Sequence, residues 1–321
     1  VYETLDKLFE KDVRMKRAFV FAGQGAQRVG MGQDVYQHSR AARTFLDGLP
    51  VDFDLKTLIF EDPDQRLNQT EMTQVATLCT SLMIVEALKD IGLHADVCAG
   101  LSLGEYSALT YAGVFDLDQV LPLVQARGRL MAEALPSGSS GMAAVLSGDV
   151  NAIQAVLDEA SVQALGAVDV ANLNSPKQTV ISGQTEALNA AVVRLQALGM
   201  RVLPLNVSGA FHSRLLQPSG VKLEALLMAL TLKPARLPVY MNVDGQVHSD
   251  VIPALTRQIY SPVQWIRTIH TMVADGVEHI VEIGPGKTLS KFVQAMHLGV
   301  RVDAIDSVAD ILTLKGELYG S

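Results

Sequence analysis

The sequence predicts an α/β protein in two parts, a large parallel-sheet unit with a small β-α-β-β-α-β unit inserted into it. Three observations carry this reading. From Ala18 onward, short apolar strand-like runs alternate with helix-like ones. The pentapeptide Gly100-Leu101-Ser102-Leu103-Gly104 sits between one such strand and one such helix. The texture then changes after the small-residue stretch Pro136-Ser137-Gly138-Ser139-Ser140-Gly141, and the first pattern resumes near Ser208-Gly209.

Taken in order, residues 18–22 read as a strand, 75–88 as a helix, 96–99 as a strand and 102–112 as a helix. Beyond the small-residue stretch, 142–146 reads as a strand and 149–160 as a helix capped by Asp149. Residues 168–171 and 179–182 read as strands, 186–198 as a helix and 201–205 as a strand. That order is the ferredoxin-like arrangement. Strands at 238–241 and 279–283 return to the first texture. The expected division is therefore 17–138 with 209–321 for the large α/β unit and 139–208 for the small one. Residues 1–16 read as a leader or extension, with Met15 a candidate start and 1–14 upstream of it.

Composition bounds the function. A chain of 321 residues that is 49% hydrophobic can bury a large core and allows about two domains. The formal net charge of −8 argues against nucleic acid, whose phosphate backbone needs a basic face. No uninterrupted apolar run approaches the roughly 18–20 residues of a membrane span, so no membrane partner is expected. The charged start is unlike a secretory signal and points to the cytoplasm. Cys79 and Cys98 lie in apolar segments, which suits core positions in a reducing compartment and no disulfide.

The pentapeptide reads as a nucleophile elbow. A serine on a tight strand-to-helix turn has a strained backbone, so its flanks must lack bulk, and Gly100 and Gly104 meet that need. The turn lifts the Ser102 hydroxyl above the sheet and sets free N–H groups at the next helix start beside it, where an oxyanion would be stabilised. Ser102 is the candidate nucleophile and needs a base. Of seven histidines, His38, His94, His248 and His297 lie in polar or loop-like surroundings, His270 sits at helical spacing and His279 opens a strand. His212, in Val207-Ser208-Gly209-Ala210-Phe211-His212-Ser213, follows the return from the small unit, where the chain crosses a cleft between the two parts.

These residues belong to a collinear set. Phe21-Ala22-Gly23-Gln24-Gly25-Ala26-Gln27, the elbow continuing into Glu105-Tyr106-Ser107-Ala108-Leu109, Arg127-Gly128-Arg129 and Gly209-Ala210-Phe211-His212-Ser213 appear in that order. Asn242-Val243-Asp244-Gly245, Pro262-Val263-Gln264-Trp265 and Glu282-Ile283-Gly284-Pro285-Gly286-Lys287 follow. Together they resemble the malonyl-CoA:acyl carrier protein transacylases of fatty-acid synthesis. The resemblance runs from about Ala18 into the C-terminal region. It implies a hydrolase-like α/β domain with an inserted ferredoxin-like domain and an active site between them.

The resemblance also implies the chemistry. Ser102 would attack the malonyl thioester of coenzyme A and His212 would take its proton. The malonyl-serine ester would then pass its acyl group to the phosphopantetheine thiol of acyl carrier protein, in ping-pong order. Malonyl-CoA and the carrier are the implied partners, and no metal or other cofactor is implied. By the same resemblance the N–H groups of Gln24 and Leu103 form the oxyanion hole, Gln264 orients the histidine through its backbone carbonyl, Arg127 clamps the malonyl carboxylate, and Gln74 lies nearby. The Leu103 donor follows from elbow geometry as well. A planar guanidinium suits the carboxylate because it can donate two parallel hydrogen bonds.

One position departs from the family's usual pattern, and a second bears on selectivity. Leu101 stands where many relatives have histidine, which makes that side of the pocket less polar. Phe211 before His212 resembles malonyl-selective members, since a ring there would crowd an α-methyl group. The acidic carrier would need basic contacts, for which Lys177, Arg214, Lys287 and Lys291 are candidates. Gly23-Gln24-Gly25-Ala26-Gln27-Arg28 fails as a dinucleotide fingerprint at Arg28, and Gly286-Lys287-Thr288 fails as a phosphate loop because Val281 stands five residues before Gly286. The alternatives are a malonyltransferase of a polyketide synthase or malonate decarboxylase, a serine hydrolase or thioesterase using His297, and a non-catalytic carrier-docking module.

Overall fold

The computed structural model describes residues 15–207 and 209–319. The extension foreseen over 1–14, and Ser208 at the exit of the small unit, lie outside these. Among the described residues nine strands form two sheets: β1 (Arg17–Phe21), β2 (Val97–Gly100), β3 (Ser140–Val145), β4 (Val168–Ser175), β5 (Gln178–Gln184), β6 (Val202–Pro204), β7 (Val239–Tyr240), β8 (His279–Ile283) and β9 (Arg301–Ile305). The first sheet has the order β7-β2-β1-β8-β9 and is parallel throughout. The second, β4-β5-β3-β6, is antiparallel. Counting the four strands of the second sheet in chain order gives 2-3-1-4, the ferredoxin-like arrangement expected from the sequence.

Helices on both faces explain why the central parallel strands β1, β2 and β8 are buried at every position. Phe19, Phe21, Cys98, Val281 and Ile283 point into the core built with the helix Thr70–Asp90. Their neighbours Ala18, Val20, Val97, Ala99 and Ile280 point the other way, against Trp265 and Ile269 of the helix Trp265–Ala274 and Leu289 and Val293 of Thr288–Gln294. The helix Thr70–Asp90 is buried on nearly every side, so its ends carried little periodic signal and the sequence reading began it five residues late, at 75.

The other differences have similar causes. β4 and β5 run on to Ser175 and Gln184, beyond the short runs read from sequence, because Asn172 and Asn174 interrupt the apolar alternation and the register shifts twice in β4. The helix expected over 149–160 stops at Leu157, with Asp149 capping it through the Ala152 amide as read. β9 was missed because its first four residues are only partly buried at the sheet edge.

A segment of the large unit is hydrogen-bonded to the edge of the small sheet. The Leu173 amide donates to Val263 O at 2.9 Å and the Val263 amide donates to Ala171 O at 2.9 Å, so the edge strand β4 is covered by a segment of the large unit. Both Cys79 and Cys98 are buried and unpaired.

The helix Leu117–Ala132 packs against Thr70–Asp90 so closely that a Cβ on Gly128 would lie 2.5 Å from Glu71 Cα. Only a glycine lets the backbones meet there, and this contact seats the neighbouring Arg127 inside the protein. Gly128→Ala should therefore destabilise the fold by about 1–3 kcal/mol, overriding the usual helical preference for alanine. Thermal unfolding reads this as a lowered Tm; a Tm that stays level or rises would show that the helices can separate without cost.

Candidate active site

Ligand sites in open parallel sheets lie beyond the carboxyl ends of the strands, and here β2 runs directly into the turn that carries Ser102. Ser102 has φ of +55°, a left-handed conformation that non-glycine residues adopt at a cost. Its flanks admit no side chain. A Cβ on Gly100 would lie 1.9 Å from the Gly104 carbonyl carbon, and one on Gly104 would lie 2.1 Å from Phe21 O. The chain leaving β1 comes equally close, since a Cβ on Gly23 would lie 2.3 Å from Leu101 O. That approach brings Gln24 beside the elbow. The backbone N–H groups of Gln24 and Leu103 have no acceptor among the described residues.

His212 also has a positive φ, +60°, and its Nε2 lies 2.7 Å from Ser102 Oγ. Its Nδ1 lies 2.8 Å from the backbone carbonyl of Gln258. A carbonyl can only accept, so Nδ1 carries the proton and Nε2 presents its lone pair to the serine hydroxyl. The orienting residue is thus Gln258 and not Gln264, which corrects the expectation from sequence. Gln264 caps the helix Trp265–Ala274, and its carbonyl accepts from the amide and the hydroxyl of Thr268 at 2.9 and 3.0 Å. Gln258 ends the helix Ile252–Gln258, where the last carbonyls have no partner within the helix. Gln258 O takes the imidazole and Ile259 O takes the His212 amide at 3.1 Å.

Arg127 is fully buried beneath the serine. Its Nη1 donates to Gln74 Oε1 at 2.8 Å, and its Nη2 donates to Gln258 Oε1 at 2.8 Å and to Ser102 Oγ at 3.2 Å. The guanidinium carbon lies 5.1 Å from the centre of the Tyr106 ring. All the hydrogen-bond acceptors are neutral. Burial raises the nearby Glu105 carboxyl to about 8, which favours its neutral form beside the arginine. Arg129, two residues on, faces outward and pairs with Glu71.

These groups meet at a cleft of about 620 Å³ between the two sheets. Ser102, His212, Phe211, Leu101 and Gln24 line one side, and Asn172 and Gln178 of the small sheet face them. Gln258 is the residue that sequence reasoning missed: its carbonyl holds His212, its Oε1 holds Arg127 and its Nε2 donates to Ser102 O at 2.8 Å. No local signal marks it, since it is one more polar residue at a helix end.

The other histidines stand apart, though not all as expected. His38, His94, His270 and His297 are exposed, whereas His248 is half-buried against Asp244, and His279 is buried between Arg17 and Asp303. Of the four candidate docking cations, Arg214 pairs with Asp169 and Lys287 with Asp310, and Lys177 and Lys291 are exposed.

The comparisons agree on one group of proteins. The family described as "Acyl transferase domain" matches residues 18–310. Over 312 residues the chain is 39% identical to a protein of Bacillus subtilis (strain 168) named malonyl CoA-acyl carrier protein transacylase, covering 94% of this chain and 98% of that one. A Staphylococcus aureus (strain MRSA252) protein of the same name is 37% identical over 302 residues, 92% and 97% of the two chains. A solved malonyl CoA-acyl carrier protein transacylase of Clostridium perfringens superposes with a TM-score of 0.89 at 36% identity, covering 94% and 97% of the chains. Another, a malonyl-transacylase in complex with its type II PKS acyl-carrier protein, gives a TM-score of 0.88 at 34% identity, covering 94% and 99%.

Burial, and then the adjacent Arg127 cation, hold the His212 imidazole down to about 4, well below its ordinary value near 6.5. The ring should stay neutral, and able to accept a proton, throughout the pH range around neutrality. An NMR titration of its ring should find a midpoint far below 6.5, and Arg127→Ala should move that midpoint up because it removes the repelling charge. A wild-type midpoint at 6.5 or higher would mean that water reaches the ring.

Proposed function

The chain belongs to the acyl transferase domain family, and from that premise we propose that it transfers a malonyl group from malonyl-CoA to the phosphopantetheine thiol of acyl carrier protein in fatty-acid synthesis. One observation carries the reading. A serine hydroxyl lies 2.7 Å from an imidazole whose tautomer is fixed, and a fully buried arginine with neutral hydrogen-bond partners lies 3.2 Å from the same oxygen.

In the first half-reaction Ser102 Oγ attacks the thioester carbonyl as its proton passes to His212 Nε2. The resulting oxyanion would be received by the free amides of Gln24 and Leu103, donors already in position before charge develops. The carbon–sulfur bond then breaks, and coenzyme A leaves as a thiol with the proton from His212. In the second half-reaction the carrier's thiol gives its proton to His212 and its sulfur attacks the malonyl-serine ester. Collapse of that intermediate returns the proton to Ser102. The chemistry needs no cofactor besides the coenzyme A thioester that is its substrate. Two buried, unpaired cysteines fit a cytoplasmic setting.

Arg127 is buried behind the cleft and does not line it, but its Nη2 donates to Ser102 Oγ, and Ser102 does line it. Once the serine is acylated that contact is given up, and the malonyl carboxylate can take its place on Nη2. Phe211 and Leu101 supply apolar walls, and Gln74 holds Nη1 of the guanidinium. The hydrolase alternative has little support, since His297 is exposed and does not line the cleft.

Mass spectrometry of the protein mixed with malonyl-CoA should find a malonyl group on Ser102. Ser102→Ala should take up none, and His212→Ala should lose on the order of 10²-fold or more in transfer rate. Label on another residue, or a crippled His297→Ala, would transfer the role elsewhere.

Arg127 should set the substrate class. Removing a buried cation that receives a carboxylate costs about 2–5 kcal/mol, so Arg127→Ala should lower kcat/KM for malonyl-CoA by on the order of 10²-fold. Acetyl-CoA, which lacks that charge, should be used as well as before or better. Arg127→Lys should restore only part of the loss. An equal fall for both substrates would assign Arg127 to the fold and carboxylate recognition to another group.

A further inference from the structure

The strained turn at Ser102 is held from outside by a residue that the chemistry above does not use. β7 pairs in parallel with β2, with Tyr240 opposite Ala99, so Asn242 lies two residues beyond the paired strands and alongside the elbow. Its Oδ1 accepts from the Ser102 amide at 2.7 Å, and its Nδ2 donates to Gly100 O at 2.7 Å. Because the first partner can only donate and the second can only accept, the orientation of the side-chain amide is fixed. Its own backbone is fixed too. The Asn242 amide donates to Glu105 Oε2 at 2.7 Å, and its carbonyl accepts from the Gln264 amide at 2.8 Å.

We infer that Asn242 is a positioning residue for acyl transfer: its side-chain amide clamps both ends of the Leu101 segment and so holds Ser102 in the left-handed conformation that aims Oγ at His212. This inference rests on the role proposed for Ser102. Asn242 is fully buried and does not line the cleft, so it acts on the serine and not on substrate. A left-handed serine relaxes toward ordinary backbone angles unless something opposes it. The Asn242 bonds oppose it at the two peptide groups whose rotation would turn both Oγ and the Leu103 N–H away. No other side chain of this size offers one donor and one acceptor in a single plane; aspartate does so only when protonated.

The test measures single-turnover malonylation by malonyl-CoA, with the acyl site located by peptide mass, alongside the Tm of each variant. Asn242→Ala should reach half-saturation at the wild-type concentration of malonyl-CoA while its maximal rate falls on the order of 10²-fold, the usual consequence of misplacing a reacting atom by about 1 Å. Asn242→Asp should recover relative to Asn242→Ala as pH falls, because its protonated acid restores the donor to Gly100 O. Glu105, Arg127 and Asp244 are the ionisable groups around this corner, and with His212 they are common to both variants, so their ratio isolates the introduced carboxyl.

A wild-type maximal rate in Asn242→Ala, or a loss confined to half-saturation, would overturn the inference. If Asn242→Ala does not fold, the ratio of Asn242→Asp to wild type decides: a rise at lower pH supports the inference and a flat ratio overturns it. A wild-type protein that gains no malonyl group on Ser102 would overturn the proposed function and this inference with it. A wild-type protein malonylated there, with Asn242→Ala equally fast, overturns this inference alone.

Discussion

A serine with φ of +55° is held against its steric preference, and the architecture around it is arranged to keep it there. Gly100 and Gly104 allow the backbone to fold back on itself at distances that no Cβ could tolerate. Asn242 fixes the peptide groups on one side and Gln258 Nε2 fixes Ser102 O on the other. These partners come from the ends of β2, β7 and the helix Ile252–Gln258, so the turn is stable only once distant parts of the chain have been assembled.

The same helix end orients His212. Terminal carbonyls of a helix lack partners within it, and here two of them are used by His212, one for the ring and one for the amide. A neutral carbonyl fixes the tautomer as well as a carboxylate would, without adding a negative charge beside Arg127. The small sheet is stitched to Val263, five residues beyond Gln258. One stretch of chain is therefore hydrogen-bonded both to Ser102 on one side of the cleft and to β4 on the other, and it also carries the histidine's anchor.

Buried charge is the remaining element. Arg127 is desolvated among amide oxygens, a hydroxyl and an aromatic face, and the one carboxyl close to it is driven toward its neutral form by its own burial. A cation kept in this way attracts a substrate carboxylate more strongly than a surface arginine could, because little water screens it. After burial, it is the next cause that holds the His212 imidazole below its ordinary value, so in the proposed function one group would act in both recognition and catalysis.

What the sequence determined by itself was what local chemistry dictates. Glycines flanking a serine between strand and helix specify an elbow, and apolar runs of strand length specify a buried parallel sheet. The order of short elements from residue 139 specifies the ferredoxin-like unit. Ser102, His212 and Arg127 were legible because their neighbours form motifs, and the family resemblance joined them. Tertiary structure alone decided which backbone carbonyl meets the imidazole. Gln258 and Gln264 are both glutamines at helix boundaries, but one ends a helix and has a carbonyl to spare, whereas the other begins one and has its carbonyl taken by Thr268. Asn242 stood in one of the quoted motifs, but its role escaped for a related reason. A side chain that bonds to backbone 140 residues away leaves no periodicity or spacing to read, and its role exists only when β7 lies beside β2.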